Sequence, residues 1–156
     1  MMKLYLIQHG QALSKEEDPE RGLSEAGIAD VRKVAALLQG KISPERVVHS
    51  GKKRARQTAE IFSGRLNISS MDEMLDLDPM ADPGIWAAHV SVMSGSVMVV
   101  GHLPHLARLA SLLLAGDANL DVVRFSNGGV VCLEREHESW TLRWMVTPEL
   151  GPVNRP

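Results

Sequence analysis

The sequence predicts an α/β fold with three layers, α/β/α, in which helices cover both faces of a mostly parallel, mixed sheet. Short β-prone apolar segments alternate with segments of helical periodicity over most of the chain, and this alternation is typical of a parallel sheet with crossover helices. Two late strands, at 130–133 and 141–146, follow each other without a helix between them, which indicates an antiparallel edge. At 156 residues the chain has the size of one domain, and we expect 1–156 to form one.

Three short apolar segments, at 3–7, 46–49 and 96–100, are the predicted parallel strands. Ser24 is the predicted N-cap of the first helix, whose apolar side chains recur at helical spacing from Ile28 to Leu38 before Gly40 ends it. A second helix is predicted after Ser50 and Gly51. Further elements follow from the same patterns: helices at 85–93 and 106–115, an irregular acidic stretch at 71–83 and a terminal extension at 148–156.

Charge and cysteine content exclude several classes of protein. Lys and Arg number 17 and Asp and Glu 19, so the net charge of -2 offers no overall attraction to nucleic acid or to an anionic membrane. The single Cys132 cannot form an internal disulfide. The apolar start at 1–7 is too short for a signal peptide, and 106–115 is too short to span a bilayer. We therefore expect a cytoplasmic protein with neither nucleic-acid nor membrane partners.

Polar residues gather directly after each of the three predicted parallel strands. The clusters are 8–10, with Gln8, His9 and Gly10; 50–54, with Ser50 and three basic residues; and 101–102, with His102. Ligands of open α/β sheets bind at the carboxyl ends of the strands, where parallel strands bring such clusters onto one edge. That edge combines two histidines with basic residues and helix N-termini, a combination that favours phosphate oxyanions.

Each of these residues also has a structural interpretation. Taken singly, His9 and His102 are as plausible in a structural role as in catalysis, and their joint placement with Arg54 favours function. The basic residues Lys52, Lys53 and Arg56 are predicted to be solvated helix residues, and the histidines at 49, 89 and 137 to be structural. The spacing of the histidines at 102 and 105 suggests a metal pair, but the intervening proline and the lack of a nearby cysteine or suitable carboxylate argue against it. We expect neither a metal nor another cofactor.

Five segments resemble motifs of a known family, the histidine phosphatase superfamily. The segment 6–10 resembles its Arg-His-Gly signature, 49–59 its second signature of Ser, Arg, Ala, Gln, Thr and Ala, and 99–104 its Gly-His motif. The segment 21–27 and the ending 144–148 are similar to the small SixA-type phosphohistidine phosphatases of that family. The resemblance implies a phosphoglycerate-mutase-like fold and a metal-independent phosphatase that acts in signal transduction.

The resemblance also implies roles for individual residues. His9 is then the nucleophile that takes the phosphoryl group as a phosphohistidine intermediate, Arg54 binds the phosphoryl oxygens, and His102 hydrogen-bonds them in the transition state. We expect His9 to be neutral, with a backbone carbonyl near Gly10 fixing its tautomer, and His102 to be protonated. Opposite protonation demands on the two histidines predict a bell-shaped pH profile.

Five more positions complete the implied site. Gly10, Ser50 and Arg21, together with Gln8, are expected to bind substrate, and Asp76 is the candidate general acid. Taken singly, Asp76, Asp78 and Asp82 each favour the interpretation of a solvated loop carboxylate. The sequence departs from the family at Gln8, where the signature has Arg. An amide donates a hydrogen bond without the charge or the bidentate fork of a guanidinium.

Three functions stay open at this point. The leading one is hydrolysis of phosphohistidine on a partner protein, because an imidazole leaving group departs neutral when its other nitrogen carries a proton. A phosphatase of small phosphate esters is the second. The third is a module that binds a phosphorylated ligand with little or no turnover, an alternative that the neutral Gln8 motivates.

Overall fold

The structure, a computed structural model, describes residues 1–150. The strands are β1 (Met2–Gln8), β2 (Arg46–His49), β3 (Met71–Glu73), β4 (Gly95–Gly101), β5 (Val130–Glu136) and β6 (Ser139–Val146). The helices are α1 (Glu25–Leu38), α2 (Lys53–Leu66), α3 (Pro83–Val92) and α4 (His105–Ala115), and a 3-10 turn covers Pro148–Leu150. All six strands form one sheet in the order β3-β2-β4-β1-β5-β6.

The sheet is mixed, as predicted. β1 pairs in parallel with β4, and β2 pairs in parallel with both β4 and β3. β5 runs antiparallel to β1 and to β6, so the two late strands form the antiparallel side of the sheet. The segments between parallel partners each include a helix, which such a crossover needs, whereas the antiparallel strands β5 and β6 are joined by a short turn.

The sheet separates two apolar clusters. Alternate residues of β1 supply both: Leu4 and Leu6 pack with the α3 and α4 side chains, while Tyr5 and Ile7 pack with those of α1 and α2. α1 packs on α2, and α3 packs on α4. The prediction of a three-layer α/β/α fold is therefore confirmed. Within residues 1–150, no helix combines the length and the apolar character that a membrane crossing requires.

Two elements differ from the sequence prediction. The stretch 71–83 is not wholly irregular, because Met71–Glu73 forms the edge strand β3. Its three side chains are exposed, so no buried apolar pattern marked it in the sequence. α3 begins at Pro83, two residues earlier than predicted, since the Asp82 side chain accepts a hydrogen bond from the Gly84 N–H at 2.9 Å and caps the helix there. Of the predicted tail at 148–156, the part beyond residue 150 lies outside the described residues.

The segment that follows β1 is pressed against α1. Ser24 caps α1 as predicted, accepting from the Gly27 N–H at 3.0 Å, and the Ser24 N–H donates to the Gln11 carbonyl at 3.0 Å. A Cβ at Gly27 would lie 2.2 Å from the Gln11 carbonyl oxygen, and a Cβ at Gly10 would lie 2.8 Å from Val31 Cγ2. Only hydrogen fits at either glycine, so this contact fixes the position of the chain beside His9.

We expect Gly27→Ala to lower the free energy of unfolding by roughly 1–3 kcal/mol, because the added methyl group pushes the backbone at Gln11 away from α1. Gly64→Ala in α2 is the matched control. A Cβ there meets no atom within 4 Å, so the better helix propensity of alanine adds up to about 1 kcal/mol. Urea unfolding of both variants measures the difference, and equal stability of Gly27→Ala and the wild type would contradict the prediction.

Candidate active site

The parallel pairing of β1 with β4 places the residues after the two strands side by side. Gln8 lies opposite Gly101, and the His9 N–H donates to the Gly101 carbonyl at 3.1 Å. β2 lies on the other side of β4, with His49 opposite Val100. The three polar clusters therefore meet at one edge of the sheet, and the ring centroids of His9 and His102 are 5.0 Å apart.

His9 is held in one orientation by backbone groups. Its Nδ1 lies 2.7 Å from the Gly10 carbonyl oxygen, which can only accept a hydrogen bond, so Nδ1 carries the proton and Nε2 is left with its lone pair. The Gly10 carbonyl is the partner that the sequence predicted. Burial lowers the pKa of His9, the hydrogen bond to Gly10 opposes that effect, and the charges of Arg54 and Arg21 lower the pKa further. His9 is therefore a neutral imidazole at neutral pH.

His102 is buried, with 1% of its surface exposed. Its Nε2 lies 2.6 Å from Ser50 Oγ, while its Nδ1 has no hydrogen-bond partner among residues 1–150. Burial, followed by the charge of His9 and then that of Arg54, lowers the pKa of His102 to about 3. In the free protein His102 is therefore neutral at neutral pH, because desolvation disfavours the charged imidazolium. The protonated His102 expected in the transition state, and the bell-shaped pH profile with it, remain predictions.

Arg54 lies in the first turn of α2, and Thr58 joins it to the His9 segment. Thr58 Oγ1 accepts from the Gly10 N–H at 3.0 Å and donates to the Arg54 carbonyl at 2.8 Å. Arg54 Nε is buried, and the described residues give it no hydrogen-bond acceptor. Burial, and secondly the charge of Arg21, lowers the pKa of the guanidinium, which nevertheless remains charged at neutral pH.

Arg21 reaches the site from the loop between β1 and α1. Its charge acts on both His9 and Arg54. Its backbone is left-handed, with φ at +52°, an unfavourable conformation for arginine that the surrounding loop imposes. The Arg21 N–H donates to the Asp18 carbonyl at 2.9 Å, and Arg21 Nε donates to the Leu13 carbonyl at 3.0 Å. The site therefore gathers two guanidinium groups beside the two imidazoles.

Asp18 and Lys53 fasten that loop to α2. Asp18 Oδ2 accepts from the Gly22 N–H at 2.8 Å and from Lys53 Nζ at 3.0 Å. The hydrogen bond from Gly22, followed by that from Lys53, lowers the pKa of Asp18. The Lys53 side chain stays partly exposed, at 29%, and it also pairs with Asp18 and, at 3.6 Å, with Glu20, two partners that the prediction of a solvated helix residue did not include. We call the Asp18–Lys53 pair the loop clamp.

The remaining predicted residues occupy different surroundings. Gln8 ends β1, and its Oε1 is buried without a donor among residues 1–150. Asp76 is exposed in a left-handed turn with φ at +64°. Burial lowers the pKa of the neighbouring His105, and the charge of Asp76 opposes that effect only in part. Asp78 lies 4.0 Å from Lys52 Nζ. The role of Asp76 as a general acid remains a prediction.

Two contacts at the site were not predicted. Thr58 lies on the buried face of α2, and a hydroxyl within an apolar stripe is itself a signal that a polar partner is present. Asn127, in the loop before β5, donates from Nδ2 to the His9 carbonyl at 3.0 Å, and the neighbouring Gly128 N–H donates to the Gln8 carbonyl at 2.9 Å. The only signal for this loop in the sequence is its Asn-Gly-Gly turn.

Several histidines lie outside the site. His49 is buried, with its Nδ1 accepting from the Gly51 N–H at 3.1 Å, and His89 contacts Trp86 edge to face. His105 is fully buried, and neither of its ring nitrogens has a partner within the described chain. No three side chains of His, Cys, Asp or Glu in residues 1–150 come together as a metal site.

Acid should destabilise this protein through its buried imidazoles. Burial lowers the pKa values of His9, His49, His102 and His105, whereas the unfolded chain binds protons at histidine from a pKa of about 6.5 downward. Unfolding therefore takes up protons below about pH 6.5, and the free energy of unfolding falls as the pH falls. We expect urea unfolding to show this decline between about pH 7 and pH 5.

His105→Leu should reduce that decline and raise the free energy of unfolding at pH 7 by about 1–3 kcal/mol, since it removes two buried polar atoms without partners. His89→Gln, at an exposed position, is the control for the pH dependence and should leave that decline unchanged. A His105→Leu variant with the stability and pH dependence of the wild type would contradict the assignment.

Comparison with known proteins agrees with the geometry. The family model "Histidine phosphatase superfamily (branch 1)" matches residues 4–81. The phosphohistidine phosphatase SixA of Escherichia coli (strain K12) is 30% identical over 155 residues, which cover 94% of each protein. The solved structure of the protein histidine phosphatase SixA complexed with tungstate has a TM-score of 0.84 at 29% identity, over 94% of this chain and 97% of that one.

The fold extends to more distant enzymes. The alpha-ribazole phosphatase from Shigella flexneri, at 17% identity, has a TM-score of 0.79 over 98% of this chain and all (100%) of its own. The phosphoglycerate-mutase-like fold is thus confirmed. The matched family segment carries the motifs around His9 and Arg54, and the similarity to SixA extends over nearly the whole chain. This protein therefore belongs to the histidine phosphatase superfamily, branch 1.

Proposed function

We propose that this protein hydrolyses the phosphoryl group from a phosphohistidine residue of a partner protein, through a phosphohistidine intermediate on His9. The observation that carries the proposal is the His9 ring itself. Its Nδ1–H is bound to the Gly10 carbonyl, its Nε2 lone pair is free to attack, and its centroid lies 5.0 Å from that of His102 beside Arg54. A neutral imidazole beside cations is the arrangement that in-line attack on a phosphoryl group requires.

The first step forms one P–N bond and breaks another. The lone pair on His9 Nε2 attacks phosphorus, and the bond from phosphorus to the substrate imidazole breaks. The leaving imidazole takes the bonding pair and departs neutral when its other nitrogen carries a proton. This chemistry demands little of an enzymic acid, which is consistent with the exposed position of Asp76. An ester substrate would need that acid, because an alkoxide is a poor leaving group.

The second step returns His9 to its starting state. Water attacks the phosphorus of phospho-His9, the P–N bond breaks, and inorganic phosphate is released. Arg54 and Arg21 neutralise the equatorial oxygens in both steps, with the N-terminus of α2 adding partial positive charge. His102 hydrogen-bonds a phosphoryl oxygen, and the Ser50 hydroxyl beside its Nε2 orients the ring. Gly10 and Gln8 line the pocket on either side of His9.

The resemblance to SixA supports a phosphorylated protein as the substrate. A phosphohistidine side chain on a partner protein places its phosphoryl group in the site while the partner rests on the rim. A cytoplasmic role in phosphohistidine signalling agrees with this chemistry. Small phosphate esters are the second class of substrate to assay, since the same nucleophile and cations act on them.

Covalent trapping tests the proposal. The protein is incubated with a ³²P-labelled phosphohistidine peptide, quenched and assayed for acid-labile phosphate on the chain. We expect the wild type to be labelled and to release phosphate, and His9→Ala to do neither, because no other imidazole replaces Nε2.

The control is His89→Ala, at an exposed position of α3, and it should behave as the wild type. Labelling of His9→Ala at the wild-type level would refute the nucleophile. Binding of the peptide without label or turnover at any pH would instead identify a phospho-ligand binding module, and turnover confined to an aryl phosphate would identify an ester phosphatase.

Removing the loop clamp should weaken substrate binding more than turnover. In Lys53→Met, the loop loses its link from Asp18 to α2, so Arg21 is less often in place and KM for the phosphohistidine peptide rises by about two- to fivefold. Lys53→Arg should restore the wild-type KM, since it keeps the charge and the donor.

Arg56→Met is the matched control, because within residues 1–150 the one ion pair of Arg56 is with Glu60, one turn along the surface of α2. A steady-state comparison of the three variants measures KM and kcat separately. An unchanged KM in Lys53→Met, or an equal rise in Arg56→Met, would contradict the positioning role of the loop clamp.

A further inference from the structure

The site lacks a cation where β1 ends. Gln8 is the residue before His9, and its side chain is a neutral amide whose Oε1 is buried without a donor among residues 1–150. Arg54 and Arg21 are the guanidinium groups whose charges act on His9. A transferring phosphoryl group carries up to two negative charges spread over three oxygens, and its stabilisation depends on the cations placed around it.

Lys52 lies at the same edge of the sheet, at the start of α2. It is the N-cap residue of that helix, and its N–H donates to Ser50 Oγ at 3.4 Å. Ser50 Oγ in turn lies 2.6 Å from His102 Nε2. The ammonium of Lys52 is among the charges that lower the pKa of His102, which places it within electrostatic range of that ring.

The side chain of Lys52 is held only weakly. Its Nζ lies 4.0 Å from Asp78 Oδ1, and the two side chains are 40% and 68% exposed. Such exposed pairs are among the weakest in proteins. The adjacent Lys53 differs, because Asp18 holds it at 3.0 Å. Of the two neighbouring lysines, Lys52 is therefore the one that can change partners at little cost.

We propose that Lys52 is a phosphate-binding residue. Its ammonium moves away from Asp78, contacts the phosphoryl group and supplies the charge that Gln8 does not. This inference rests on the proposed function. The flexible four-carbon stem of lysine carries a compact charge that can approach from the His102 side of the pocket. A planar guanidinium at position 8 would instead approach from the end of β1. In the resting protein, Asp78 and the incoming phosphoryl group compete for the same ammonium.

A double-mutant cycle tests this exchange of charge. We expect Lys52→Met to lower kcat/KM for the phosphohistidine peptide by about ten- to a hundredfold, the factor that one charge-assisted hydrogen bond supplies. Gln8→Arg in the Lys52→Met background should recover most of that loss, while Gln8→Arg alone should change the wild type much less. Lys52→Arg should keep most of the activity.

Two further variants separate binding from folding. Asp78→Asn releases Lys52 from its competitor, so KM should fall, a result that a merely structural Lys52–Asp78 pair does not produce. Lys41→Met is the control, because Lys41 follows α1 at the opposite edge of the sheet, where Nζ donates to the Leu37 carbonyl. It should leave kcat/KM unchanged. Thermal unfolding checks that every variant is folded.

Binding of orthovanadate, measured by calorimetry, gives a readout that does not need turnover. Lys52→Met should weaken binding by about tenfold or more, and added Gln8→Arg should restore it. Unchanged vanadate binding and unchanged kcat/KM in Lys52→Met would overturn the inference, as would additive effects of the two substitutions. If the wild type forms no phosphoenzyme, the proposed function fails, and the vanadate measurement still decides whether Lys52 binds the anion.

Discussion

The parallel register between β1 and β4 is the constraint on which the site depends. Gln8 and Gly101 are paired, so β1 and β4 end at the same level of the sheet. The histidine that follows each strand therefore enters the same pocket. Neither ring could be moved by a local change, because the strands are fixed by their ladder and by the apolar side chains on both faces of the sheet. A slip of one residue would turn every side chain of β1 to the opposite face.

Burial determines the chemistry of the rings once the strands have placed them. Desolvation disfavours the imidazolium form, and the neighbouring guanidinium groups disfavour it again, so both histidines are neutral in the free protein. The neutral imidazole is the form that has a lone pair for nucleophilic attack. The same charges that keep the rings neutral attract a phosphoryl anion, which in turn favours protonation of the rings. Binding of the phosphoryl group to the cations therefore also raises the pKa values of the two imidazoles.

Sequence patterns predicted most of the fold and the membership of the site, because both follow from short-range signals. Alternating strands and helices, capping at Ser24 and the glycine turns are local, and the histidine motifs directly follow the predicted strands. β3 was missed because three exposed residues carry no apolar pattern. The pairing of Lys53 with Asp18 was missed for a different reason, since it depends on residues distant in the chain. Charge alone does not reveal which side chains are desolvated or paired.

The hydroxyl of Thr58 has one further consequence. It bonds the Gly10 amide with its lone pair and the Arg54 carbonyl with its proton, so a single oxygen atom ties the nucleophile's segment to the arginine's helix. The distance between His9 Nε2 and the Arg54 guanidinium therefore depends on how α2 packs against the sheet. A ligand that shifts α2 from its outer surface would therefore change the geometry of the reacting groups without touching the pocket.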